Sequence, residues 1–190
     1  MSIMPKNESW REGAVALDSL FRSAMRDLAS GVSVITVGRG EDRTGMTATS
    51  LTSLSVDPPS ILICVNRSSS TWPALQAHRH FGVNLLRASQ RPIAERFAGR
   101  DGAKGSLRYA DAEWTTLVTG APILADALAA LDCEIEEALE RHSHMIVIGR
   151  VRAVRLGEGS DALTYWRGGF HISEAALPHG QSPPIPRPHQ

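Results

Sequence analysis

An excess of charge of either sign is missing from this chain. Its 190 residues carry 20 lysines and arginines against 20 aspartates and glutamates. A general nucleic-acid binder needs clustered positive charge, so the balance argues against one. It argues equally against a polybasic membrane surface. Aromatic residues make up only 5%, too few for the stacking platforms that hold single-stranded nucleic acid. Cysteine is scarce as well. Cys64 and Cys133 each fall in an apolar strand candidate and form no CxxC or zinc pattern. Free buried thiols in a reducing cytosol are the expectation, rather than a disulfide. No apolar run approaches the roughly 20 residues of a membrane-spanning helix. The opening MSIMPKNESWREG has no signal-peptide core, so the expected location is cytoplasmic. Also missing are a GxGxxG after a strand, a Walker A pattern, a GxSxG elbow and any repeat at a fixed period. Rossmann, P-loop and serine-hydrolase chemistry go with them.

What is present reads most clearly between residues 44 and 66, TGMTATSLTSLSVDPPSILICVN. A hydroxyl-rich strand candidate carries Thr44, Thr47, Thr49, Ser50, Thr52, Ser53 and Ser55. Asp57-Pro58-Pro59 must break it, because proline cannot donate to a ladder and restricts its predecessor. An apolar strand, Ser60 to Val65, follows. Serine and threonine supply donors and acceptors, and small residues such as Gly45 and Ala48 let a ligand approach the backbone. The wall suits something polar, flat and phosphorylated. Taken alone, the stretch reads first as an ordinary threonine-rich strand with one solvated face.

Residues 1–15 look loose. Leu17, Leu20, Phe21, Ala24 and Leu28 then recur at helical spacing, predicting an amphipathic helix from about Asp18 to Ala29. Val32 to Val37 and Phe81 to Leu86 read as strands, with a hairpin-type connection over Arg39 to Arg43. Thr71 is placed as the cap of a short helix through Trp72-Pro73, and Ser89 as the cap of one holding Ile93, Ala94 and Phe97. Residues 99–122 read as an irregular excursion in which Trp114 and Leu117 pack back. Leu131, Cys133 and Ile135 alternate with Asp132, Glu134 and Glu136, predicting a half-buried strand. A polar turn, Arg141-His142-Ser143-His144, leads to a long strand from Met145 to Val154, and an aromatic segment, Leu163 to Phe170, closes the fold. Five prolines from Pro178 onward predict disorder. The domain organisation is thus a flexible 1–16, one domain over 17–177 and a tail over 178–190. Many strands with few helices and no βαβ alternation predict a mainly β barrel or sandwich with peripheral helices.

Two loops could carry chemistry. Arg67 with Ser68, Ser69, Ser70 and Thr71 precedes a helix N-terminus, where a guanidinium, hydroxyls and free amides suit a phosphate. A helix cap in a polar loop is the ordinary alternative. His142 and His144 alternate, so in a strand they share a face. No further metal ligand is spaced nearby, and no metal is expected. One such histidine at a barrel mouth could hydrogen-bond a nicotinamide or relay a proton.

FRSAMRDLASGVSVIT, GMTATSLTSLSVDPPSILICVN, NRSSSTWP, FGVNLL, ERFAG, SHMIVIGRV and YWRGGFH, in this order and spacing, resemble the flavin reductase-like family from about Leu20 to Ser173. The nearest likeness is to the small reductase components of two-component flavin-dependent monooxygenases. The resemblance implies a Greek-key FMN-binding split β-barrel. It implies a homodimer with flavin, FMN or FAD, near the subunit interface. NADH or NADPH would deliver hydride to flavin N5, and reduced flavin would pass to a partner oxygenase. Carried over residue by residue, Met46, Thr47, Ala48 and Thr49 would line the isoalloxazine through backbone groups. Ser53 would meet the ribityl chain, and Cys64, Val65 and Asn66 would flank ring and ribityl. Arg67, Ser69 and Ser70 would hold the phosphate, and Phe97 would cover part of the flavin. Ser143 and His144 would sit beside the nicotinamide, with Tyr165 and Arg167 closing the pocket and His144 as the catalytic positioning group. Many relatives carry glycine and aspartate before this histidine, where this chain has His142-Ser143. That substitution leaves open a second class, a flavin-binding or flavin-sensing protein of the same fold that uses no nicotinamide.

Overall fold

The computed structural model describes residues 9–174. Helix α1 (Ser9–Arg26) leads to β1 (Ser30–Gly31), β2 (Ser33–Val37), β3 (Thr44–Ala48), β4 (Thr52–Val56) and β5 (Pro59–Asn66). Then come α2 (Thr71–His78), β6 (His80–Leu85), α3 (Arg91–Phe97), β7 (Trp114–Thr116) and β8 (Pro122–Leu124). The long hairpin β9 (Ala129–Arg141) and β10 (His144–Leu156) precedes a short one, β11 (Asp161–Trp166) and β12 (Gly169–Glu174). The proline-rich tail expected to be disordered lies outside the described residues.

The hydroxyl-rich run expected as one strand is two strands on opposite edges of one sheet. That antiparallel sheet runs β3-β2-β6-β9-β10-β5-β4. Its two edge strands are joined by Thr49, Ser50 and Leu51 alone. A chain spans at most about 3.6 Å per residue, so the edges come within about 14 Å of each other. The sheet therefore curls into a barrel, split between β3 and β4. Ser50 clasps the seam: its Oγ accepts from the Cys64 amide at 3.1 Å and donates to the Cys64 carbonyl at 3.2 Å, on β5. This is the split barrel the family resemblance implied, and the mainly β composition is as expected.

Strand β2 is buried along its whole length because it is a wall between two cores. Ile35 and Val37 face the barrel interior with Ile63, Val65, Phe81 and Val147. Val32 and Val34 alternate to the other face and pack with Phe97, Tyr109, Ile123 and Leu163. Period-two alternation thus feeds two apolar clusters from one strand.

Several expectations need correction. Helix α1 begins at Ser9, inside the segment read as loose, and ends at Arg26. Arg11, Glu12 and Ala14 favour helix ahead of the apolar stripe. The Arg26 carbonyl accepts from the Arg167 amide at 2.9 Å, which stops the helix short of Ala29. Thr71 does not cap α2; Ser70 occupies that position and makes no side-chain cap bond. Ser89 lies in a 3-10 turn, and Gln90 precedes α3. The excursion over 99–122 holds a 3-10 turn and β7, and Trp114 and Leu117 pack on the second core as expected. Asp132, expected to face solvent, is fully buried. The loop before β8 covers that face, and the Thr119 amide donates to the Asp132 carboxylate at 2.7 Å.

Candidate active site

Strands β5 and β10 pair antiparallel, and their register sets Asn66 opposite His144, Val65 opposite Met145 and Cys64 opposite Ile146. The loop leaving β5 and the turn entering β10 therefore emerge together at one barrel end. The Arg67 amide ties them, donating to the Ser143 carbonyl at 3.0 Å. Asn66, Arg67, Ser68, Trp72 and Ser143 line one surface depression there.

The loop is shaped to present donors. Asn66 Oδ1 accepts from the Ser68 amide at 2.9 Å and from its hydroxyl at 2.8 Å. The Ser69 amide donates to the Asn66 carbonyl at 3.0 Å. That double turn delivers the chain into α2, whose first-turn amides have no partners within the helix. Ser69 Oγ and Thr71 Oγ1 are buried beside this helix end with no hydrogen-bond partner. Buried hydroxyls are normally satisfied. Two unspent hydroxyls at a helix N-terminus fit a phosphate that would complete them.

The barrel wall is more restricted than expected. Thr47 spends its hydroxyl on the Ala94 carbonyl of α3 at 2.6 Å. The Ala48 carbonyl accepts from Ser33 Oγ at 3.0 Å. Met46 and Thr47 are half-buried, and Thr49 is exposed at the seam. Ser53 is exposed on β4, opposite Ile61. Cys64 is half-buried and free, not fully buried as expected, and Cys133 is the buried free thiol. Burial pushes the Cys133 thiol up to about 12, so it stays protonated and inert.

Three assignments change. Val65 is wholly inside the barrel core, so only its backbone can face a ligand. Phe97 is 1% exposed and packs on Tyr109 and Trp114, with ring centroids 5.1 and 5.7 Å away. It supports Gly45 from behind; a β-carbon there would stand 2.8 Å from its ring. It has no surface with which to cover a flavin. Tyr165 is on β11 and Arg167 is in the β11–β12 turn of the separate sheet β1-β11-β12, whereas His144 opens β10 of the barrel sheet. Arg167 Nε donates to Asp27 Oδ1 at 2.6 Å, which fastens the β11–β12 turn to the end of α1.

The turn before His144 shows the consequence of the missing glycine. His142 adopts φ 52°, the left-handed region that glycine favours. It is in a turn, so the strand alternation expected to align it with His144 does not apply. His144 is exposed, and its Nδ1 lies 2.9 Å from Ser143 Oγ.

Sequence reasoning missed three participants. Ser50 clasps the seam, and Arg108 donates to the Gly45 carbonyl, bracing the free edge of β3. Glu140 pairs with Arg67. None had a local signal, because they act across 14, 63 and 73 residues of sequence.

Known proteins share this fold. The chain is 38% identical over 164 residues to the FMN reductase (NADH) RutF 2 of Methylorubrum extorquens (strain PA1), covering 86% of this chain and 93% of that protein. Its fold matches the crystal structure of BorF, the flavin reductase component of a bacterial two-component tryptophan halogenase, with TM-score 0.77 and 33% identity, over 84% of this chain and 99% of that one. It also matches the Streptomyces globisporus C-1027 NADH:FAD oxidoreductase SgcE6 in complex with NAD and FAD fragments, with TM-score 0.74 and 29% identity, over 95% of this chain and 99% of that one. Residues 25–174 match the family model described as flavin reductase like domain, and the chain belongs to that family.

Proposed function

We propose that the protein is an NADH-dependent flavin reductase that takes FMN and supplies reduced flavin to a partner monooxygenase. The observation that carries this reading is the β5–β10 register, which sets a phosphate-ready helix end beside an exposed histidine. Relatives named as FMN reductases (NADH) and neighbours named as components of two-component systems support the choice of cofactors and partner.

Bound flavin would supply the acceptor for a hydride from the nicotinamide. The chain's own work is placement. Ser69, Thr71 and the α2 amides hold the phosphate end. Backbone amides over Thr47 to Thr49 offer donors toward the ring, since the Thr47 side chain is committed to α3. Where Ser143 Oγ donates to His144 Nδ1, Nε2 carries the ring proton and is a free donor for a carboxamide. His144 thus positions the nicotinamide and is not an obligatory base.

A homodimer and a cytoplasmic setting complete the reading. Leu17, Leu20, Phe21 and Leu28 of and after α1 are each 60% exposed or more. An apolar stripe left bare by the described residues of its own protomer suits a second copy. Arg167 is bonded to Arg26 at the end of this helix, and Tyr165 lies two residues before it, so they would close a nicotinamide pocket from across that interface.

The test is the loss of NADH absorbance on adding purified protein with excess FMN or FAD. Fast oxidation that saturates with FMN is expected. Flavin binding without oxidation would replace this reading with a flavin-binding module.

A further inference from the structure

We propose that Glu140 sets how tightly the phosphate end of the flavin is held, by competing with that phosphate for Arg67. The inference rests on the flavin reading above. Arg67 leaves β5 and reaches over the end of β10 to β9, where its Nη1 pairs with Glu140 Oε1. The same nitrogen lies 3.5 Å from the His142 carbonyl. Among the described residues, Arg67 is the one cation lining the depression with Asn66, Ser68, Trp72 and Ser143. Its guanidinium is the charge that the depression offers a phosphate, and Glu140 pairs with it.

The neighbouring Arg141 does not relieve the pair, because its Nη1 donates to the Glu140 backbone carbonyl at 2.6 Å. The Arg67 and Glu140 side chains are 45% and 60% exposed. An exposed pair of this kind is worth a factor of about five at most in an equilibrium constant. A dianionic phosphate can break it, yet must offset it to bind. The hold on FMN is then looser than Arg67 alone would give, which suits a protein whose reduced flavin must leave.

The experiment titrates FMN and riboflavin against wild-type protein, Glu140→Gln and Glu140→Ala, following quenching of flavin fluorescence. Riboflavin shares the ring and ribityl chain but has no phosphate. Both variants are expected to bind FMN about threefold more tightly, with riboflavin changed by less than about 1.5-fold. In an Arg67→Gln background the gain should shrink toward none. Wild-type binding of FMN with no gain in either variant overturns the inference and leaves the flavin reading standing. An equal gain for riboflavin also overturns it, since the effect would not act through the phosphate. Wild-type protein that binds neither flavin overturns the flavin reading and the inference together.

Discussion

Asn66 and His144 face each other across the β5–β10 ladder. One starts the loop that offers unspent hydroxyls, the other ends the turn that offers an imidazole. They are 78 positions apart by their own numbers, and a single strand register makes them neighbours. A one-residue slip would send alternate side chains to the wrong face, so the buried faces of Val65 and Val147 guard the site as well as the core.

His144→Ala should lower kcat/KM for NADH by about tenfold or more, since misplacing a reactant is costly. Flavin affinity should stay nearly unchanged. Steady-state rates against NADH, together with a flavin titration, check both halves. Lost flavin binding with unchanged turnover at saturation would refute the placement.

Ser69→Ala combined with Thr71→Val should weaken FMN by about tenfold or more, the scale of hydrogen bonds to a charged group. Thermal stability should not fall, because both hydroxyls are buried without partners in the free protein. Riboflavin affinity should not move. A melting curve and paired titrations separate a ligand role from a structural one.

Gly45→Ala should destabilise the fold by about 1–3 kcal/mol, as overpacking does. The added methyl would clash first with the Ile35 backbone carbonyl of β2 and then with the Phe97 ring. Chemical denaturation measures this, and FMN affinity should fall with it as β3 shifts.

His142→Gly should stabilise the protein modestly, by about 0.5–1 kcal/mol, because relief of a left-handed backbone exceeds the added chain entropy. The residue's φ of 52° is the reason. An unchanged or lower denaturation midpoint would count against it.

His80 gives a pH signature. Burial, then the nearby Arg39 and His78, hold its pKa below the ordinary 6.5. The unfolded chain therefore binds a proton that the folded protein resists. Stability from this group is present above the ordinary value and is lost as pH falls below it, until the folded imidazole also protonates. Melting temperatures between about pH 7.5 and 5.5 should fall less steeply in His80→Gln.

Much of the fold was legible because it rests on local signals. Period-two alternation marked β9, β-branched and apolar runs marked β2, β6 and β10, the double proline marked the β4–β5 turn, and the amphipathic stripe marked α1. Asp132 misled, because alternation says which face a residue takes but not whether a distant loop covers it. The hydroxyl run misled for a related reason: nothing local in Thr49-Ser50-Leu51 says that the chain crosses there from one sheet edge to the other. Phe97 was assigned to the flavin by family position, and its packing against Tyr109 and Trp114 places it in the core.

The amino-acid pattern by itself determined strands β2, β5, β6, β9 and β10, the phosphate-ready composition of the loop from Asn66 to Thr71, and the histidine turn, since propensity, turn chemistry and hydroxyl placement act over a few residues. Tertiary structure decided the rest. Barrel closure chose which hydroxyls stay unspent, strand register brought His144 to Asn66, and the reach of Arg67 to Glu140 set the charge at the site. Those are contacts between residues far apart in sequence, and only the folded chain brings their energies together.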